Sequence, residues 1–266
     1  HMQKHLSQAA TRLAEAWQHD RHLSQLEPDL QPKNRREAYA VQALIVDQIN
    51  EPTIGWKIAA TSEGGQRHIN VGAPLAGRLF ASRVLPDGAT LSLSGNRMLV
   101  AEAEFGFRFG KAIPARANHG HDDAISMETM LEAVTDMVLA IELPDSRFEN
   151  FVAAGEAQLI ADFACARHFI LGPTVSADWR SRDLSKHPVR FRVNEHLVAE
   201  GSGAFVLGDP RAALHWLVRE LGEHHINIEA GDVMFTGTCV IPVPIKPGDK
   251  LCADFADFGQ VRADVI

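Results

Sequence analysis

Apolar positions along the chain follow two different periods. Over the first fifty residues they return every three or four positions. Leu6, Ala9, Leu13 and Trp17 form one stripe through LSQAATRLAEAWQHD, the mark of an amphipathic helix. After the polar, proline-bearing connector EPDLQPKN, Asn34 is placed to cap a second helix. In that segment, RREAYAVQALIVDQIN, Ala38, Val41, Leu44, Ile45 and Ile49 share a face. From Gly55 onward the runs become short, apolar or alternating, and bounded by glycine and proline: GWKIAAT, GRLFASRVL, ATLSLS and LVAEAEFGFRFG. Ser126 caps a predicted helix over METMLEAVTDM, which leads into the apolar strand MVLAIELPDSRF. Further strands are expected at FILGPTV, VRFRVNEHLVAEGSG and AFVLG. Asp209-Pro210 opens a helix through RAALHWLVRELG with Gly222 as its stop. Strands return in GDVMFTGTCVIPVPI and, after a KPGD turn, in KLCADFADFGQVRADVI. The pattern predicts an α+β protein, with a helical arm over residues 2–54 and a β-rich core over 55–266. It lacks the regular strand–helix alternation of a doubly wound sheet.

Composition narrows the function classes. With 266 residues, 45% apolar and 23% charged, the chain can bury a substantial core. A formal net charge of −8 argues against nucleic acid or an anionic membrane as partner. No apolar run approaches the roughly 18 residues of a membrane span, and no signal peptide is read at the start, where His1-Met2 resembles the remnant of a cleaved tag. Cys165, Cys239 and Cys252 are odd in number and form no CxxC pair, so a reducing cytoplasm is the expected setting. Neither GxGxxG, a Walker sequence nor a nucleophile elbow occurs.

Two carboxylates in the strand-like run LVAEAEFGFRF need an explanation. Glu102 and Glu104 are two apart and share a strand face, where each disfavours the other's charge unless water or a cation screens it. The alternating apolar residues Ala101, Ala103, Phe105 and Phe107 allow a plain reading, a half-buried strand with a solvated charged face. Glu142 favours the other one. It interrupts the apolar run MVLAIEL, and a carboxylate inside a buried strand is paired, protonated or metal-bound. Three such oxygens suit a hard cation such as Mg²⁺ or Mn²⁺, although pairing with Arg147 would also account for Glu142. Lys57, alone in GWKIAATS, either extends to solvent or serves as an acid–base group or carboxylate anchor. His119, His121, Asp122 and Asp123 read as a solvated connector, and His224-His225 as a surface pair after a helix.

In order, the segments GWKIAATS, GAPLAGRLF, AEAEFGF, IELPDSRF, GSGAFVLGDPRAALHWL and GDVMFTGTCVIPVPIKPGDKLCADF resemble the fumarylacetoacetate-hydrolase superfamily. The likeness runs from about Tyr39 to the C-terminus and is greatest to the branch of 2-keto-4-pentenoate hydratases and 4-oxalocrotonate decarboxylases. It implies a β-rich mixed roll with an N-terminal helical portion, a homo-oligomer, and a divalent cation held by Glu102, Glu104 and Glu142. By the same likeness Lys57 lies in the active site, Thr236 near the substrate, and Asp145 and Arg147 in its structural support. The implied reaction belongs to a Mg²⁺- or Mn²⁺-dependent lyase of aromatic-compound breakdown. It adds water to a 2-hydroxy-2,4-dienoate or, as the alternative, decarboxylates a 2-oxo-3-enedioate. An acylpyruvate-type C–C hydrolase fits less well, for want of an evident His–Glu dyad, and a non-catalytic partner of a pathway enzyme is a further alternative. The stretch Ile160–His168 departs from the D-N-A-S/G-like run of typical hydratases: Phe163 replaces Asn, while Cys165 and Arg167-His168 occupy small-residue positions. Asp162 and Arg167 are therefore candidate substrate contacts, and an arginine here could accept a second carboxylate.

Overall fold

The computed structural model describes residues 2–115 and 125–266; His119, His121, Asp122 and Asp123 lie outside the described residues. The helices α1 (Met2–Gln18) and α2 (Arg35–Ile49) open the chain. The Asn34 side chain caps α2 by accepting from Glu37 N, and Leu6, Ala9, Leu13 and Trp17 of α1 are buried. There follow β1 (Thr53–Ala59), α3 (Glu63–Ile69), β2 (Leu75–Phe80), β3 (Val84–Pro86), β4 (Thr90–Leu91) and β5 (Val100–Phe109). Next come α4 (Met127–Ala133), β6 (Val134–Leu143), α5 (Phe151–Ala154), α6 (Glu156–Ala161) and β7 (His168–Thr174). The remainder comprises β8 (Pro188–Val193), β9 (His196–Ser202), α7 (Pro210–Glu223), β10 (Val233–Thr238), β11 (Val243–Pro244), β12 (Lys250–Asp254) and β13 (Gln260–Val265).

The strands form two mixed sheets. One has the order β2-β1-β10-β5-β6-β7-β3, with β11 paired to β5; the other runs β4-β13-β12-β8-β9. Parallel pairs (β1 with β10, β3 with β7, β13 with β4) sit among antiparallel ones. The long strands β5 and β6 occupy the middle of the larger sheet. Phe105 of β5 meets Phe255 and Phe258 of the smaller sheet's end edge-to-face, at 5.2 and 6.3 Å between ring centroids. On the opposite face Gly106 leaves room for the rings of Phe235 and the methyls of Val138.

Several local expectations shift. The helix after Ser126 stops at Ala133, and Val134–Met137 belong to β6. Here β-branched Val134 joins the ladder opposite Phe109 and Thr135 falls at a bulge, with Asp136 opposite Arg108 and Met137 opposite Phe107. AFVLG is not a strand. Residues 203–205 form a 3₁₀ turn, capped by Ser202, in which Gly203 packs so closely that a Cβ would lie 1.9 Å from Leu184 O. Gly222 does not stop α7, which runs on to Glu223 before His225 takes a left-handed φ of 59°. Strand β5 has no solvated face at its centre, since residues 103–107 are all buried.

Arg147 is fully buried and ties distant parts of the chain together. Its guanidinium donates to Asp145 Oδ2 at 2.6 Å, Asp20 Oδ1 at 3.2 Å and Arg21 O at 3.3 Å. The same Asp145 accepts from the backbone N–H groups of Arg97 and Met98, which lead into β5. Replacing Arg147 by Met leaves Asp145 buried without its main counter-charge, at a cost of about 3–5 kcal/mol. At ~2–4 °C per kcal/mol, thermal denaturation is expected to show a Tm lower by about 10 °C. A second substitution, Asp145→Leu, should return part of that loss.

Candidate metal centre and active site

The register of β5 against β6 sets Glu102 directly opposite Glu142, with Glu104 two residues along the same face. Carboxylate oxygens of the three lie within 4.8 Å of one another. Glu104 and Glu142 are wholly buried, whereas Glu102 is partly exposed and borders a cavity. Hydrogen bonding leaves this set unsatisfied. Glu104 Oε1 accepts from Gly237 N at 2.9 Å, but Glu104 Oε2 and both oxygens of Glu142 have no hydrogen-bond partner among the described residues. Buried acceptors without partners are costly, so the arrangement asks for a positive group.

Lys57 supplies only part of it. Its Nζ lies 3.0 Å from Glu142 Oε1, an ion-pair contact whose angle makes no hydrogen bond, and it donates instead to Ala164 O at 2.8 Å. Burial alone would lower the lysine's pKa; the charges of Glu142 and Glu102 outweigh it and raise it. Burial, reinforced by Glu142, pushes Glu102 up to about 8 and Glu104 well above the carboxylate range. One ammonium thus faces a cluster that carries up to three negative charges when ionised. An oxygen-only donor set, with orphaned lone pairs converging on one point, fits a hard divalent cation. Such an ion would satisfy the acceptors that the protein leaves open.

Each of these groups owes its place to a local feature. Lys57 is central in β1, paired with Gly77 on β2 and Phe235 on β10. Gly237 has a φ of 108°, and a Cβ there would lie 2.3 Å from Thr61 Oγ1; only glycine lets this bulged end of β10 turn its N–H onto Glu104. Ala164 O reaches Lys57 from a turn in which Phe163, Ala164 and Cys165 all have positive φ. A cavity of about 40 Å³, roomy enough for a few water molecules, adjoins the cluster. Its lining includes Lys57, Glu102, Met98, Cys165, Thr238 and Pro242.

Of the residues singled out from sequence, Glu102, Glu104, Glu142 and Lys57 are brought together. The others lie differently. Thr236 is fully buried and donates its hydroxyl to Phe105 O at 3.2 Å; Thr238, two residues on, lines the cavity. Asp162 is also fully buried and accepts from Ser146 Oγ at 2.8 Å, Arg147 N at 2.7 Å and Trp17 Nε1 at 3.3 Å. Burial raises its pKa to about 6 against these donors. Arg167 pairs with Asp20 and lies 5.0 Å from the Trp17 ring centroid, so its charge is directed into the scaffold. Sequence reading missed Gly237 N–H and Ala164 O, because a backbone group that serves a site leaves no side-chain signature. The glycine in TGT was the available signal for the first.

The fumarylacetoacetate (FAA) hydrolase C-terminal family matches residues 59–266. The chain is 28% identical over 260 residues to a 2-keto-4-pentenoate hydratase of Paraburkholderia xenovorans (strain LB400), covering 97% of this chain and 93% of that protein. It is 29% identical over 263 residues to a 2-keto-4-pentenoate hydratase of Burkholderia vietnamiensis (strain G4 / LMG 22486), covering 97% and 96%. Among solved structures, the 4-oxalocrotonate decarboxylase from Pseudomonas putida G7, complexed with magnesium and adipate, superposes with a TM-score of 0.87 at 26% identity, covering 99% of this chain and 98% of that one. The mixed sheets, the N-terminal helices and the matched span agree: the chain belongs to the fumarylacetoacetate (FAA) hydrolase C-terminal family.

Proposed function

We propose that the protein is a Mg²⁺- or Mn²⁺-dependent lyase that adds water to a small 2-hydroxy-2,4-dienoic acid in aromatic-compound breakdown. The observation that carries this reading is the buried cluster Glu102–Glu104–Glu142 with its unpartnered oxygens beside Lys57. The names of the hydratase relatives support the substrate class. In this reading residues 2–54 form a helical subdomain on a catalytic core of 55–266. The enzyme works as a cytoplasmic homo-oligomer, alone or beside a pathway partner. Among the described residues no helix is long and apolar enough to cross a membrane.

Glu102, Glu104 and Glu142 would hold the cation, with Gly237 N–H fixing the orientation of Glu104. When bound, the cation supplies positive charge that polarises a 2-oxo group and stabilises its enolate form. Lys57 carries a proton at Nζ beside the cavity, where the enol-to-keto change needs one delivered or removed. Glu142 and Ala164 O hold that ammonium in place, and Ile58, Met98, Pro144 and Pro242 give the cavity an apolar wall that limits access of water. Thr238 and Cys165, with Thr61, Ser62 and His68, line the same cavity and are placed to touch the rest of the substrate.

A second reading, decarboxylation of a 2-oxo-3-enedioate, is supported by the likeness to the 4-oxalocrotonate decarboxylase. A dicarboxylate asks for a second cationic contact. Among the described residues Lys57 is the one lysine or arginine in the cavity lining, burial lowers the pKa of His68 there, and Arg167 is engaged by Asp20; this favours the monoacid and hence the hydratase. Ultraviolet assay of 2-hydroxypenta-2,4-dienoate and 2-oxohex-3-enedioate side by side with Mg²⁺ tests the choice. The expected result is loss of dienoate absorbance without CO₂, and CO₂ release from the enedioate would reverse it. Replacing Lys57 by Met should lower turnover by ~10²–10⁴-fold, while Mn²⁺ still binds.

The metal assignment predicts a thermal signature. Mn²⁺ at 100 times its Kd adds about 2.7 kcal/mol, which for a chain of this size raises Tm by roughly 5–10 °C. Glu104→Gln should abolish that rise, yet leave the metal-free Tm equal or higher, because it removes one of the mutually repelling buried acids. Binding should also tighten as pH rises through 8. Below that value Glu102 keeps a proton that the cation must displace; calorimetry in buffers of different ionisation enthalpy would record the released proton.

A further inference from the structure

The backbone at 163–165 departs furthest from ordinary conformation at the site. Phe163 (φ 59°), Ala164 (51°) and Cys165 (63°) are consecutive L-residues in the left-handed region, where each Cβ crowds the following carbonyl. A conformation of that kind persists only where its surroundings over-determine it. Here they do. A Cβ on Gly77 of β2 would lie 1.9 Å from Phe163 O, so glycine lets the turn press onto the sheet next to Lys57, its cross-strand neighbour. The Phe163 ring packs edge-on against Trp17 at 5.3 Å and against Phe80 at 5.4 Å. Trp17 also donates to Asp162, the residue that enters the turn, and Asp145 N donates to Cys165 O at 3.0 Å as the chain leaves it.

We propose that the left-handed turn Phe163–Cys165 is the positioning element of the active-site lysine, and that helix α1 acts on the site through it. Ala164 O is the hydrogen-bond acceptor of Lys57 Nζ, and it points there because the three residues wind left-handed. A right-handed turn between the same anchors would aim that carbonyl elsewhere and free the ammonium to swing among the carboxylates. Cys165, the last residue of the turn, lines the cavity. Trp17, from α1, braces the turn through both the Phe163 ring and Asp162. Gly77, Phe163 and Trp17 are thus positioning residues for Lys57. The proposal rests on the lyase reading given above.

The test perturbs the turn from two sides in the full-length protein, with Gly77→Ala crowding Phe163 O and Ala164→Val placing a β-branched residue at positive φ. Since ångström-scale misplacement costs up to ~10²-fold, each should lower kcat at least ~10-fold with KM and the Mn²⁺ Kd within ~3-fold. Reductive methylation followed by mass spectrometry should show Lys57, protected in the wild type, labelled several-fold faster in both variants. Ala164→Gly, whose backbone accepts the left-handed φ without crowding, should restore what Ala164→Val loses. Trp17→Phe removes the indole N–H from Asp162 and should give the same split at smaller size, which keeps the test decisive if the harsher variants fail to fold. Wild-type kcat and Lys57 protection in a folded Gly77→Ala protein overturn the proposal. So does a parallel loss of kcat, KM and Mn²⁺ affinity, which marks a turn with a structural role only. Should the wild type act on neither acid, the functional reading fails by itself, and the labelling of Lys57 still decides the positioning.

Discussion

Everything at this site depends on like charges held in one buried patch. Glu102, Glu104 and Glu142 are fixed by strand register, not by attraction to one another, and their oxygens converge within 4.8 Å. A protein can stabilise such a cluster by protonating it, by pairing it or by binding a cation. This chain does the first two incompletely. Burial raises the acids' pKa values, Lys57 sits against Glu142 Oε1 without hydrogen-bonding it, and Glu104 Oε2 and Glu142 Oε2 have neither an ion-pair nor a hydrogen-bond partner among the described residues. The mismatch between one ammonium and three carboxyls is what makes the site chemically suited to a divalent ion. The same mismatch explains why Lys57 stays protonated in surroundings that would otherwise neutralise a buried lysine.

The scaffold can carry this cost because the cluster lies at the centre of the larger sheet. Strands β5 and β6 are backed by the aromatic layer of Phe105, Phe255 and Phe258 on one side. Beside them, the turn at 163–165 packs on β1 and β2, and α6 packs on the turn, on β2 and on α2, whose Gln42 donates to Ile160 O and to Ala76 O. Buried polar links then join the layers. Asp162 receives Trp17, Ser146 and Arg147, and Asp145 receives Arg147 and the backbone ahead of β5. Most charges within the support are thus paired, although Arg147 Nε and Arg167 Nη1 lack a hydrogen-bond partner among the described residues, and the unpaired carboxylate oxygens lie at Glu104 and Glu142, beside the cavity that Glu102 lines.

Much of this was legible from the sequence, and what was not has physical reasons. Helical periodicity and Asn34 located α1 and α2, and the isolated Glu142 in MVLAIEL marked a buried acid, because both signals are written in side-chain chemistry. The solvated-face reading of Glu102 and Glu104 failed at Glu104. Alternation tells which residues share a face, but whether that face is covered depends on segments distant in sequence, here Gly237 and the turn near Ala164. The helix expected through VTDM failed for a similar reason, since pairing with Arg108 and Phe107 outweighs a weak local preference. Thr236 and Arg167 could be assigned to a neighbourhood but not to a direction, and their side chains turn out to be engaged by Phe105 O and Asp20.

The segment Ile160–His168 shows how a backbone group can reach a site whatever the side chains beside it. Its departures from the hydratase pattern fall where the resemblance implies substrate contacts. In the folded chain the contact to Lys57 comes from a carbonyl, which any residue at 164 possesses, provided the backbone keeps its hand. Phe163 is then no loss of a polar contact. Its ring joins Trp17 and Phe80 in an apolar cluster that helps hold a turn of high intrinsic energy. Cys165 is the position where drift does reach the cavity, as a small thiol whose burial beside Asp162 and Asp145 keeps it protonated despite the nearby Lys57.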